Sequence, residues 1–201
     1  MKILAIGAHP DDIEIGMGGL IAKESKKNEV LMLVLSMPSD GEKRLKEAEQ
    51  GAKILGAELK VLDLDLEEIK LDRNFISKID KVLEDFKPDE IYTHWHQDSH
   101  QDHTVTAQAT FAATRQNKCS LYMYEQTLGG GITPFGFRAQ RFVDISKEID
   151  KKIQAVLAHK TQVEKNTEQW VEGIKSRAFY RGYQMRVKYA EAFEVVKIVE
   201  K

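Results

Sequence analysis

Val30-Leu31-Met32-Leu33-Val34-Leu35 carries apolar side chains at every position. A strand with one wet face alternates polar and apolar residues. A run without alternation is a strand buried on both faces, as in a parallel sheet covered by helices. The flanking segments fit that reading. Ile3-Leu4-Ala5-Ile6-Gly7-Ala8 is a preceding strand, and helical patterns occupy 13–27 and 42–55. The second of these ends at Gly56, a residue suited to the left-handed turn that closes a helix. Further strands are expected at 59–64, 90–94 and 121–125. Helices are expected at 74–86, stopped by Lys87-Pro88, and at 105–116. This alternation predicts a Rossmann-like, doubly wound α/β fold: a mostly parallel sheet in a three-layer α/β/α arrangement.

After Glu125 the pattern changes. Gly129-Gly130-Gly131, Pro134 and Gly136 mark a loop over 127–138, placed to act as a lid or subunit contact. A strand is expected at 141–145, a helix capped by Ser146 and running through Leu157, a helix at 167–179 and a last strand at 189–199. No repeat or linker divides the chain, so residues 1–201 read as one domain.

The 201 residues are 42% hydrophobic and 31% charged, which suits a globular chain with a full core. A net charge of −2 gives no attraction for a polyanion, so nucleic acid is not an expected partner. The single cysteine, Cys119, excludes a disulfide within the chain and argues against a cysteine-based zinc site. It lies in an apolar stretch and reads as a small buried residue. No segment approaches the roughly 20 apolar residues of a membrane span. The first apolar run is too short for a signal-peptide core, so a cytoplasmic location is the default expectation.

The strand at 3–8 leads into His9-Pro10-Asp11-Asp12, and the strand at 90–94 into His94-Trp95-His96-Gln97-Asp98-Ser99-His100-Gln101-Asp102-His103. Five of the six histidines lie in these two segments. Ligands of doubly wound sheets bind beyond the carboxyl ends of the strands, so both segments are expected at one edge. A hydrolytic zinc site has three protein ligands and one position open to water. Histidine and aspartate are competent ligands. Adjacent carboxylates repel unless a cation or donor separates them; one can bind metal while the other takes a proton from water. Of His100 and His103, one can ligate while the other protonates a leaving group or steadies an oxyanion. Asp102 can orient an imidazole.

Alone, a His-Pro-Asp-Asp turn reads as a capped helix start, and His-x-x-His says little. At matching ends of two strands, the pair points to a metal or catalytic site. Gly16-Met17-Gly18-Gly19 invites a dinucleotide-binding reading, but four residues of the turn separate it from the strand and the two carboxylates repel a pyrophosphate. These glycines are expected instead to let the helix pack closely.

Ala8-His9-Pro10-Asp11-Asp12, Gly16-x-Gly18-Gly19 and His100-x-Asp102-His103 together resemble the N-acetylglucosaminyl-phosphatidylinositol de-N-acetylase (PIG-L/LmbE-like) family. This family includes zinc-dependent deacetylases of mycothiol and bacillithiol synthesis. Weaker similarity covers Arg44-x-x-Glu47, Ile54-Leu55-Gly56-Ala57, Phe142-Val143-Asp144-Ile145-Ser146, His159-Lys160-Thr161-Gln162 and Tyr189-Ala190-Glu191-Ala192-Phe193.

The resemblance implies one Zn²⁺, or another divalent metal, held by His9, Asp12 and His103, with Asp11 as general base. It implies that His100 stabilises the oxyanion or protonates the amine, with Asp102 as its partner, and that Arg44 binds substrate. Where some members carry a tyrosine two residues before the catalytic histidine, this chain has Asp98, expected to bind a sugar hydroxyl or a cationic group. The implied substrate is a small N-acetylated amino sugar or glycoconjugate, and the implied reaction releases acetate. A homo-oligomer is compatible with this family.

Other readings stay open. The cluster can be a non-catalytic metal site in a sugar- or nucleotide-binding protein, or can hydrolyse a different amide or ester. His94 and His96 either line the pocket or sit in a polar loop. His159 either suits a helix C-terminus or reaches substrate. Arg44 either grips sugar hydroxyls or a phosphate, or is a solvated helix charge.

Overall fold

The computed structural model describes residues 1–37, 40–126, 129–166 and 168–200. Five strands, β1 (Lys2–Gly7), β2 (Glu29–Ser36), β3 (Glu58–Leu64), β4 (Glu90–Thr93) and β5 (Ser120–Tyr124), pair in parallel. Two more, β6 (Arg141–Asp144) and β7 (Ala190–Lys197), extend the sheet antiparallel past β5. The sheet order is β3-β2-β1-β4-β5-β7-β6.

The helices are α1 (Asp12–Glu24), α2 (Gly41–Leu55), α3 (Arg73–Phe86), α4 (Gln101–Ala113), α5 (Ile149–Ala158), α6 (Lys160–Lys165) and α7 (Glu168–Met185). None among the described residues is long and apolar enough to cross a membrane.

The unbroken apolar run of β2 is explained by the two layers it serves. Val30, Met32 and Val34 join one core cluster with Ile13, Leu20 and Leu55 of α1 and α2. Leu31, Leu33 and Leu35 join the other, with Phe75 and Ile79 of α3 and Ala109 of α4. Each parity of the strand meets a helix layer, so neither can be polar. β1 lies between β2 and β4. The chain leaves β1 toward β2 and β3, then returns to the other side at β4, which makes the crevice beyond β1 and β4 a topological switch point.

Several boundaries differ from the sequence expectation. The fourth helix begins at Gln101, four residues before Val105, because the His100 ring serves as its cap: Nδ1 accepts from Asp102 N–H at 3.2 Å. Imidazole is outside the usual capping set, so the start carries no ordinary signal. Ser146 does not cap a helix; α5 starts at Ile149, and Ser146 Oγ accepts from Tyr189 N–H at 3.1 Å, tying the β6 exit to β7. α6 has no counterpart in the sequence expectation, and α7 continues to Met185. Thr127 and Leu128 of the expected loop, and Thr167 of the expected helix start, lie outside the described residues.

The glycine motif marks a break inside α1, where Met17 has φ −146° and ψ 21°. The break exposes donors and acceptors that distant residues satisfy. Glu191 of β7 accepts from Gly19 N–H at 2.9 Å and Leu20 N–H at 2.7 Å. Lys152 Nζ donates to Ile15 O at 2.8 Å and also pairs with Glu191. Arg177 Nη2 donates to the same carbonyl at 3.1 Å. A Cβ on Gly16 would lie 2.2 Å from the Tyr124 ring, and one on Gly19 2.7 Å from Ile145, so both positions exclude a side chain. This is the close packing expected of these glycines.

Candidate metal centre and active site

The first βα turn and the start of α4 meet at the switch point, beside a cavity of about 430 Å³. Asp12 is its hub and is 3% exposed. Its Oδ2 accepts from His9 N–H at 2.7 Å and lies 3.3 Å from His94 Nε2. Its Oδ1 lies 3.2 Å from His103 Nε2 and accepts from Gln126 Nε2 at 2.9 Å. Ligand atoms of His9, Asp12 and His103 all fall within 4.8 Å of one another, so these side chains can share one metal ion.

The electrostatics favour a cation at this point. Burial opposes charge on His103, yet the carboxylates of Asp12 and Asp98 outweigh it and raise its pKa to about 10. Burial likewise opposes ionised Asp12, but the facing His103 and His94 rings hold its carboxyl well below the usual range. His9 is also raised, because Asp12 outweighs the effect of burial. A proton therefore sits where a divalent ion would relieve the same negative field.

Asp98 turns away from the cavity centre. Its Oδ2 meets His103 Nδ1 at 3.0 Å, and its Oδ1 accepts from His100 N–H at 3.0 Å. Such a carboxylate on the far nitrogen fixes the ring of a metal-binding histidine and leaves Nε2 for the ion. The same carboxylate also borders a neighbouring cavity of about 290 Å³. The Asp102 carboxylate faces His9, with Oδ2 3.0 Å from Nε2, and stays 3.9 Å from His100 Nδ1. Its link to His100 is through the backbone instead.

Because His100 Nδ1 accepts that backbone proton, the neutral ring carries its hydrogen on Nε2, at the free end. Burial, then the neighbouring His103 and His9, lower the His100 pKa, so the ring is a neutral donor.

Asp11 occupies a positive φ of 97°, a backbone state unusual for aspartate, directly before α1. Burial, then the adjacent Asp12 charge, raise its pKa to about 7 against the pull of His159 and Arg44. Arg44 donates from Nη2 to Pro10 O and lies 3.5 Å from Asp11 Oδ1. It is a buried residue lining the cavity, not a solvated helix charge.

The structure also places the three remaining histidines. His94 is fully buried behind the cluster, stacked on His103 at 3.9 Å, and its Nε2 accepts from Ala8 N–H at 2.9 Å. Burial, then His103, lower its pKa to about 4. His96 packs its ring 6.0 Å from Phe111. His159 pairs with Glu14 at 2.9 Å in the interior, so it is a structural residue. Sequence reasoning missed Gln126, which follows β5 at the same sheet edge, and Asn166 and Trp170, which with Gln162 of the weaker similarity block bring α6 and α7 to the cavity. Glu47 explains one of the weaker blocks: it accepts from Thr161 N–H at 2.9 Å and from Thr161 Oγ1 at 2.6 Å, docking α6 on α2.

Fold and cluster together define an α/β protein with a candidate mononuclear metal centre at its switch point. The chain belongs to the PIG-L family of GlcNAc-PI de-N-acetylases, whose model matches residues 4–114. A diacetylchitobiose deacetylase of Thermococcus kodakarensis is 28% identical, over 97% of this chain and 83% of its own length. An uncharacterized deacetylase of Escherichia coli, YaiS, is 30% identical, over 79% of this chain and 90% of its own length. Among solved structures, the conserved protein TT1542 of Thermus thermophilus superposes with a TM-score of 0.85 at 25% identity, covering 99% of this chain and 96% of that one.

Proposed function

We propose that this protein is a zinc-dependent hydrolase that removes the N-acetyl group from an N-acetylglucosamine-type amino sugar or conjugate, releasing acetate. The observation that carries the reading is the division of labour in one turn. Asp12 joins His9 and His103 as a ligand set, while Asp11 stays outside it with a pKa of about 7 beside the same cavity. Membership of a de-N-acetylase family, and a relative that acts on diacetylchitobiose, supply the substrate class.

A bound divalent cation on His9, Asp12 and His103 supplies Lewis acidity toward water and the amide carbonyl. Asp11 takes the proton of the attacking water as its oxygen bonds the carbonyl carbon. His100 Nε2–H donates to the oxyanion that develops, in keeping with its neutral state. The C–N bond then breaks, and Asp11 returns its proton to the amine, a role that suits a carboxyl titrating near neutrality. Asp98 holds His103 and Asp102 holds His9, so both act as positioning residues. Arg44 steadies Asp11 and lines the cavity beside it.

Acetate release from a panel of N-acetylated amino sugars tests the reading. Activity should vanish on chelation and return with Zn²⁺. A protein that binds the metal but frees no acetate from any amino sugar is instead a non-catalytic metal-binding protein.

A further inference from the structure

Two helices line the metal cavity without a part in the chemistry above: α6, with Gln162 and its capping Asn166, and the first turn of α7, with Trp170. A helix of 6 residues has no stability of its own, so α6 depends on what holds it. At its start, His159 pairs with Glu14 of α1 at 2.9 Å. Glu47 of α2 accepts from Thr161 N–H at 2.9 Å and from Thr161 Oγ1 at 2.6 Å. At its end, Asn166 Nδ2 donates to Gln162 O at 3.0 Å. The same α1 and α2 carry Asp12 and Arg44. One scaffold therefore fixes α6 relative to the reacting groups, as a recognition element requires.

We propose that Trp170, Gln162 and Asn166 are the specificity-determining residues of this site: the indole stacks on the ring of the amino sugar and the two amides bind its hydroxyls. The inference rests on the hydrolase reading and adds how the site tells a sugar-borne acetamide from a bare one. The Trp170 ring is half-buried, packed against Ile15, Val156 and Ile174 while it also borders the cavity. An indole anchored in the core on one side offers a rigid platform on the other, and a pyranose presents C–H faces that suit it. Gln162 and Asn166 are amides, which both donate and accept, as sugar hydroxyls do. Gln162 Nε2 has no hydrogen-bond partner among the described residues, so this donor is left for a ligand oxygen. None of the three side chains is charged, so this wall selects shape and hydroxyls rather than an ion. A cavity of about 430 Å³ suits a small ligand such as one N-acetylated ring.

The test compares acetate release from N-acetylglucosamine and from N-acetylethanolamine, an acetamide without a ring. Trp170→Leu should lower the sugar-to-ethanolamine ratio of kcat/KM about tenfold, the worth of one stacked contact, with the loss carried by KM. Gln162→Leu should lower the same ratio about fivefold, the worth of one hydrogen bond. Because Trp170 also packs on a core cluster, Asn166→Ala at the exposed end of α6 supplies a variant that spares the core, and its ratio should fall as well. A ratio that stays constant in all three variants, whether activity is kept or lost equally on both substrates, overturns the proposal. Absence of acetate release from either compound in the unsubstituted protein would overturn the hydrolase reading instead. Binding then decides the wall by itself. The chain has two tryptophans, so Trp95→Phe leaves Trp170 as the reporter. Glucosamine should shift its emission saturably, and more weakly when Gln162→Leu is added; no saturable shift overturns the wall.

Discussion

Helix α1 carries two buried carboxylates two residues apart, Asp12 and Glu14, and each meets histidine. Around Asp12 the groups converge on a cavity, and Asp11 adds a like charge next door. Around Glu14 they face one another: His159 closes on Glu14, and one turn further along Lys152 and Glu191 close on the α1 break, all of them buried. The residue types are alike in the two regions. What differs is access and completeness. The closed region has paired its charges and stabilises the fold. The open region leaves histidine nitrogens and the adjacent carboxyls of Asp11 and Asp12 beside an open cavity, and it holds like charges together at a cost to stability.

Substitutions should therefore have opposite consequences in the two regions. The largest expected effect is on turnover: Asp11→Asn should reduce acetate release about 10²–10⁴-fold, the usual contribution of a general base, with metal content unchanged. Full activity in that variant would remove Asp11 from the mechanism.

In the closed region, Glu191→Ala leaves Lys152 and two backbone N–H groups of α1 buried without their partner. Denaturant unfolding should show a loss of about 3–5 kcal/mol. A loss below about 1 kcal/mol would mean that water replaces the carboxylate and that the region is not closed.

A smaller change is expected from Asp98→Asn, which keeps the shape but weakens the hold on His103 Nδ1. Zinc affinity, measured by competition with a chelator, should fall about 10–100-fold. An unchanged affinity would show that His103 needs no carboxylate behind it.

The smallest effect separates the regions by sign. The Asp11 carboxyl sits at about 7 in the fold against an ordinary 3.8, so the folded state holds its proton more tightly. Stability of the metal-free protein should then decline as pH rises from about 4 to 7. Asp11→Asn removes that penalty and should raise the melting temperature of the metal-free protein at pH 8, with the gain vanishing near pH 4. Equal melting curves at both pH values would show that the turn stores no electrostatic strain.

Much of the open region was legible in the chain because its signals are local. An apolar run without alternation identified β2 and hence the parallel sheet, and the rule that ligands bind at strand carboxyl ends brought His9–Asp12 and His100–His103 together. The closed region was legible only as blocks of similarity. Glu14 and His159 are 145 residues apart, and nothing in either neighbourhood names the other. The same limit applies to Asp98 and Asp102. Their proximity to two histidines was plain, but which ring each carboxylate faces depends on the angle at which α4 starts, set by the His100 cap. Gln126 had no sequence signal beyond its position after β5.

By itself, the sequence determined the sheet, the switch point, the glycines that must pack closely and the histidines and carboxylates gathered at one sheet edge, because periodicity and spacing are properties of neighbouring residues. Tertiary structure decided how those groups were paired: Asp98 with His103, Asp102 with His9, His159 with Glu14, and Glu191 with the break in α1. Partner choice is a matter of distances across the fold, where a few ångströms separate an ion pair from an open ligand, and no spacing along the chain encodes that interval.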